Sequence, residues 1–252
     1  MKVGFFDSGM GGITVLKEAL KILPKLDYIY YADTANVPYG VKSKEEVKGF
    51  VLEAADFIAR QGVGVLVVAC NTATSIAIND LRRKYDIPIL GMEPAVKPAV
   101  EHSMNKRVLV MATPLTIKEE KFNNLVAKVD SQNIVDTLPL PQLVEYAEDF
   151  VFDEEIILPY LKEAMADYDI GSYGTVVLGC THFPFYKGLL GKIFPRETLI
   201  IDGSMGTVKH LRNLLVESCL DIESGNGKVD FYSTGNTAAD ELRFKKYMNL
   251  PE

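Results

Sequence analysis

The chain has no tryptophan, three histidines and three cysteines in 252 residues. So few cysteines cannot form a disulfide framework at this length, and they point to the reducing cytoplasm. No stretch approaches the roughly 18 consecutive apolar residues of a membrane helix. The N-terminus, Met1-Lys2-Val3-Gly4-Phe5-Phe6-Asp7, reaches an acid too early for the apolar region of a signal peptide. Basic residues are outnumbered, and the net charge of −7 argues against a nucleic-acid-binding face. Low-complexity segments and flexible linkers are missing. What remains is an ordinary globular composition, 48% hydrophobic and 24% charged, sufficient for one large or two small domains.

Short apolar runs, many rich in Val and Ile, occupy 3–7, 28–33, 63–70, 88–91, 107–112, 134–138, 175–180, 199–202 and 229–233. Near-continuous runs such as Val65-Leu66-Val67-Val68-Ala69 suit strands covered on both faces. Helical stretches fall between them, at 12–23, 44–61, 72–84, 115–128, 153–167, 185–194, 205–217 and 238–247. In the second of these, Val47, Phe50, Val51, Ala54, Phe57 and Ile58 form one apolar stripe. The alternation predicts an α/β fold with mostly parallel sheets, whose site lies at the carboxyl ends of strands.

One pattern occurs twice. Val67-Val68-Ala69-Cys70-Asn71-Thr72-Ala73 and Val176-Val177-Leu178-Gly179-Cys180-Thr181-His182 both run from an apolar strand through a small residue to Cys and polar residues. The echo predicts two similar α/β halves in pseudo-twofold relation, each presenting a Cys to a cleft between them. The first half covers 1–92, with 207–252 returning to it, and the second covers 93–206.

A Cys where a strand meets a helix N-terminus sits among free amides and at the positive end of the helix dipole, which favours thiolate. A single such Cys is more often a small buried hydrophobe; two in matching settings favour chemistry. Cys219, placed in the continuation of the 205–217 helix, has no such setting. Cys70, Cys180, His182 and Asp7 are the residue types of a zinc shell, but C-x₂-C and H-x₃-H spacings are missing, and side chains at 180 and 182 on a strand-to-helix turn should diverge. No metal is expected. The stretch Asp7-Ser8-Gly9-Met10-Gly11-Gly12 imitates a dinucleotide fingerprint, yet Thr14 stands where its third glycine belongs, and no G-K-[ST] follows. It reads as a tight turn with amides suited to a small carboxylate. Ser8, Asn71, Thr72, Thr113, Thr116 and Thr181 add hydroxyls and an amide at strand ends, while Lys and Arg are nearly absent from these turns. An anionic substrate would therefore be held by helix ends and neutral donors. Any one of these residues is more simply an N-cap; their concentration around both cysteines points to a site.

Six segments then resemble the glutamate racemases of bacterial cell-wall synthesis, within the aspartate/glutamate racemase superfamily. They are Phe6-Asp7-Ser8-Gly9-Met10-Gly11-Gly12, Tyr31-Ala32-Asp33 with Pro38-Tyr39-Gly40, Ala69-Cys70-Asn71-Thr72-Ala73, Gly91 with Glu93-Pro94, Leu143-Val144-Glu145, and Gly179-Cys180-Thr181-His182-Phe183-Pro184. They stand in the family's order along nearly the whole chain. The resemblance implies racemisation of glutamate by two bases without any cofactor, pyridoxal phosphate included, supplying D-glutamate for peptidoglycan. Cys70 would serve the D-enantiomer and Cys180 the L-enantiomer, with Asp7, His182 and Glu145 assisting proton transfer. Asp7, Ser8, Tyr39, Gly40, Asn71, Thr72, Thr181 and His182 would contact substrate, with Thr113 and Thr116 as additional contacts. The resemblance further implies a homodimer with no nucleic-acid or membrane partner. Some members carry an N-terminal extension tied to activation by a cell-wall precursor; this chain starts just before its first strand, so such regulation is not expected.

Rival readings are an aspartate racemase or other member of the superfamily, a nucleotide-dependent oxidoreductase built on the Gly9–Gly12 turn, and a non-catalytic small-anion-binding protein.

Overall fold

A computed structural model describes residues 1–103 and 106–251. Nine strands appear among them: β1 (Lys2–Asp7), β2 (Asp27–Ala32), β3 (Val65–Val68), β4 (Ile89–Gly91), β5 (Arg107–Ala112), β6 (Val135–Pro139), β7 (Tyr173–Leu178), β8 (Leu199–Asp202) and β9 (Val229–Ser233). Eleven α-helices connect them: α1 (Ile13–Ile22), α2 (Lys44–Arg60), α3 (Asn71–Lys84), α4 (Val96–Glu101), α5 (Pro114–Lys118), α6 (Glu120–Val129), α7 (Pro141–Glu148), α8 (Glu154–Ala164), α9 (Lys187–Leu190), α10 (Ser204–Glu217) and α11 (Thr237–Met248).

All strand pairs are parallel, in two sheets ordered β4-β3-β1-β2-β9 and β6-β5-β7-β8. Read in reverse, the second sheet is β8-β7-β5-β6, so it repeats β4-β3-β1-β2 strand for strand. The protein is thus two α/β halves of the same winding, as the repeated pattern predicted. Both faces of each sheet are covered. In β5, Val108 and Val110 enter one core cluster while Leu109 and Met111 enter another, which is why the strands read as continuous apolar runs. The final strand β9 pairs with β2, and α10 buries Val208, Leu211 and Leu215 in the core of the first sheet.

Each sheet has a point where the strand order reverses: between β1 and β3, and between β5 and β7. Crevices open at the carboxyl ends of strands at such points. Cys70 follows β3, and Cys180 follows β7.

Several helices differ from the sequence reading. The predicted 115–128 helix is broken at Glu119, whose backbone is extended and whose carboxylate accepts from Lys44 on α2 at 2.6 Å. The predicted 185–194 helix is only α9, preceded by a 3₁₀ turn over Phe183–Tyr186 that contains Pro184. Helices α4 and α7 were not anticipated; both are short, and α7 begins with proline, which fits a first turn. Cys219 is not helical. It follows the end of α10 with φ of 52° and is exposed, a backbone state that closes a helix rather than continuing it.

Candidate active site

The two cysteines are delivered differently. Cys70 is the N-cap of α3, and its sulfur accepts from the Ala73 amide at 3.4 Å. The same thiol lies 3.7 Å from the Ser8 hydroxyl, to which it donates. Helix capping does not win here. Burial, reinforced by the nearby Asp7 carboxylate, pushes the Cys70 thiol up to about 12, against the expectation of a lowered value. Desolvation of the charged form outweighs one weak amide contact. Cys70 therefore rests as a thiol, the proton-donating form.

Cys180 opens no long helix. A tight turn follows, in which Phe183 donates its amide to the Cys180 carbonyl at 3.1 Å. This turn brings side chains 180 and 182 together, correcting the expectation that they diverge: Cys180 Sγ is 3.6 Å from His182 Nδ1. The other ring nitrogen, Nε2, meets Glu148 Oε1 at 2.6 Å. Glu148 also accepts from the Met10 amide at 2.7 Å and from Arg243 at 2.7 Å. Burial opposes charge on both members of the pair. The hydrogen bonds and charges of Cys180 and Glu148 nevertheless hold the imidazole well above its ordinary range. Those of His182, Met10 and Arg243 hold Glu148 below the usual carboxylate range. The site thus contains an imidazolium–carboxylate pair placed to trade a proton with the Cys180 sulfur.

Glu145, the sequence candidate for this assisting role, faces solvent and accepts from Gln142 at 2.7 Å. The assisting carboxylate is Glu148, three residues on. The signal was available in the helical spacing: Leu143, Val144, Ala147 and Glu148 share the buried face of α7, whereas position 145 does not.

Ser8, Tyr39, Gly40, Cys70, Asn71, Thr72, Thr113, Cys180, Thr181 and His182 line one internal cavity together with Val144. No Lys or Arg takes part in this wall. The free space is about 10 Å³, room for about one water molecule, so this cavity must widen to hold an amino acid. Asp7 and Thr116 stand behind the wall. Asp7 accepts from Thr181 and from the Gly9 amide, both at 3.2 Å, and burial raises it to about 6. Thr116 closes a ring of three hydroxyls with Thr72 and Thr113, with oxygens 2.9–3.0 Å apart. Tyr39 donates to Asp33 at 2.5 Å, fixing the loop that carries Gly40 against Thr113.

Asn71 is buried, yet neither its Oδ1 nor its Nδ2 has a partner among the described residues. Each orphaned atom costs about 1–3 kcal/mol. A ligand bearing both a cationic donor and an anionic acceptor, such as an α-amino acid, satisfies both.

The glycine-rich turn also finds its use here. A Cβ on Gly9 would stand 2.0 Å from Glu148 Oε1, and one on Gly11 would stand 2.6 Å from His182 Nδ1. The glycines let the two halves touch, and the turn's Met10 amide is taken by the protein's own Glu148, not by a bound carboxylate. In this arrangement the Met10 amide has its acceptor within the protein. Among the described residues, no three His, Cys, Asp or Glu side chains converge to hold a metal ion. No helix there is long and apolar enough to cross a membrane.

The profile of the Asp/Glu/hydantoin racemase family matches residues 13–210. A glutamate racemase of Halothermothrix orenii is 60% identical over 251 residues, covering 99% of this chain and 98% of that one. Among solved structures, an Escherichia coli glutamate racemase in complex with L-glutamate and the activator UDP-MurNAc-ala superimposes with a TM-score of 0.84 at 31% identity, covering 98% of this chain and 94% of that one. A Francisella tularensis glutamate racemase in complex with D-glutamate superimposes with a TM-score of 0.86 at 29% identity, covering 99% and 94%.

Proposed function

The chain belongs to the Asp/Glu/hydantoin racemase family, and from that premise we propose that it interconverts L- and D-glutamate by a two-base reaction carried by its own thiols, without a cofactor. The observation that carries this reading is the meeting of Cys70 and Cys180, from two like-wound halves, in a single cavity. Enantiomers need proton transfer at opposite faces of one carbon, and two facing halves supply it.

For L-glutamate, the Cys180 thiolate, steadied by the His182 imidazolium beside it, takes the α-proton onto its sulfur. The electron pair left on the α-carbon is delocalised into the carboxylate, where fixed amide and hydroxyl donors stabilise the developing charge. The Cys70 thiol then gives its proton to the opposite face. The product is D-glutamate; Cys70 is left as thiolate, and the Cys180 sulfur holds the abstracted proton. Exchange with solvent, or the reverse reaction, restores the starting state. The reverse reaction needs a Cys70 thiolate in a site that disfavours it. The substrate ammonium offsets that cost by bringing a positive charge into the cavity.

Asn71 spans the ammonium and α-carboxylate in this reading, and the hydroxyls of Thr72 and Thr113 serve the carboxylates. The choice of glutamate follows from the relatives. The same reading places the enzyme in the cytoplasm, in keeping with its three free thiols, as a homodimer supplying D-glutamate for peptidoglycan. It takes residues 1–92 with 207–252 as one half and 93–206 as the other.

Purified, reduced protein with no added cofactor is expected to convert either glutamate enantiomer to a 1:1 mixture, followed by polarimetry. It should leave L-aspartate essentially unchanged. Racemisation of aspartate alone would move the assignment to the sister activity.

A further inference from the structure

The charged chain behind Cys180 does not stop at Glu148. Arg243, on α11, donates to Glu148 Oε2 and also to the Glu148 backbone carbonyl. Its other terminal nitrogen lies 3.3 Å from Asp240, a buried acid that accepts from Thr34 at 2.6 Å. From the active site outward, the order is sulfur, imidazole, carboxylate, guanidinium, carboxylate.

These groups do not share a half. Glu148 and His182 ride on the second sheet's elements. Helix α11 packs against β9 and α1 of the first, with Phe244 stacked on Phe231 of β9 at 4.7 Å, while its Tyr247 reaches across to Phe150, Phe152 and Phe185 of the second. The Met10 amide also belongs to the first half. Of the hydrogen bonds described for the Glu148 carboxylate, only the one to His182 stays within its own half.

We propose that Arg243 is a positioning residue for the Cys180 base: by gripping Glu148 from across the cleft, it completes the proton acceptor at Cys180 only when the two halves close. The proposal rests on the racemase reading above. When the cleft opens to admit substrate, Glu148 loses Arg243 and Met10 together, and His182 loses a firmly held counter-charge. The base then forms around an enclosed substrate, where each charge interaction is strongest. The ionisable groups facing Glu148 are His182 and Tyr186 from the second half, and Asp7, Tyr30, Arg243 and Tyr247 from the first. Asp240 stands behind Arg243, and Glu145, Asp149 and Lys246 lie at the rim of an adjoining open cleft of about 600 Å³. That cleft gives a small solute a path to the guanidinium position.

The test compares full-length wild type, Arg243→Met and Arg243→Lys by kcat and KM in both directions across pH, with thermal unfolding as the check on folding. Arg243→Met should lower kcat about tenfold, the worth of one charge-assisted hydrogen bond, with KM changed less than about threefold. Without the guanidinium charge Glu148 takes up its proton at higher pH, so the acid limb of the kcat profile should move upward. Arg243→Lys should keep the limb near its wild-type position. Millimolar guanidinium should restore part of the Arg243→Met rate. A wild-type limb and kcat in a folded Arg243→Met protein would overturn the proposal, and so would a loss that neither lysine nor guanidinium repairs. If Arg243→Met does not fold, Asp240→Asn loosens the same arginine: a smaller upward shift of the limb supports the proposal, and an unmoved limb defeats it. Wild type inactive on both glutamate enantiomers would instead defeat the racemase reading itself.

Discussion

Cys180→Ala and Cys70→Ala should each reduce kcat for racemisation by roughly 10³-fold or more, within the range that a positioned acid or base contributes. Cys219→Ala should leave it unchanged, because that thiol is exposed beyond the end of α10. The two losses differ in kind. With Cys70 removed, Cys180 and His182 remain able to take the α-proton of L-glutamate, so that enantiomer should still exchange its α-hydrogen with solvent while forming no D-glutamate. With Cys180 removed, exchange should survive only on D-glutamate, and more slowly, because the Cys70 thiol is pushed up to about 12 and ionises reluctantly. Proton NMR of each enantiomer in deuterium oxide with each variant reads this crossed pattern. Loss of exchange on both enantiomers in both variants would show that neither thiol works alone as a base.

His182→Asn should lower kcat by roughly 10²-fold, because it removes the cation that steadies a thiolate at Cys180. It should also destabilise the fold. Glu148 is buried, and its 2.6 Å bond to His182 is the one that faces the cavity. Stripping one member from a buried ion pair costs about 3–5 kcal/mol, and the remaining Arg243 and Met10 contacts to Glu148 should hold the loss to the lower end of that range. The double variant His182→Asn/Glu148→Gln removes both charges, so it should recover part of the thermal stability and none of the activity. Activity returning along with stability would mean that His182 acts only through folding.

Most of the architecture was legible in the chain, for a physical reason. Parallel strands buried on both faces become apolar runs, and all nine observed strands coincide with such runs to within a few residues. The twin Cys patterns mark equivalent strands, β3 and β7, of two identically ordered sheets. The electrostatics were harder to read. A cysteine at a helix start suggested an activated thiolate, but Cys70 is buried in the first half's own core cluster beside the Asp7 carboxylate, and that pushes its thiol up. His182 appeared to point away from Cys180 because a helix was assumed where the chain makes a tight turn. Glu145 was favoured by its motif, while helix periodicity selects Glu148. Arg243 gave no sequence signal, since its contact with Glu148 joins positions 95 residues apart. Contacts of that kind come from the tertiary fold and leave no local pattern in the chain.

The central claim is that two thiols, one on each face of the α-carbon, do the work. Its most direct test is racemisation of fully protiated L-glutamate by the wild-type enzyme in deuterium oxide, sampled at early conversion. If two separate bases act, D-glutamate formed in the first turnovers carries deuterium at the α-carbon, and the remaining L-glutamate keeps its hydrogen. If the product retains the original hydrogen, or the unreacted substrate gains deuterium as fast as product appears, a single group moves the proton and the two-thiol account is wrong.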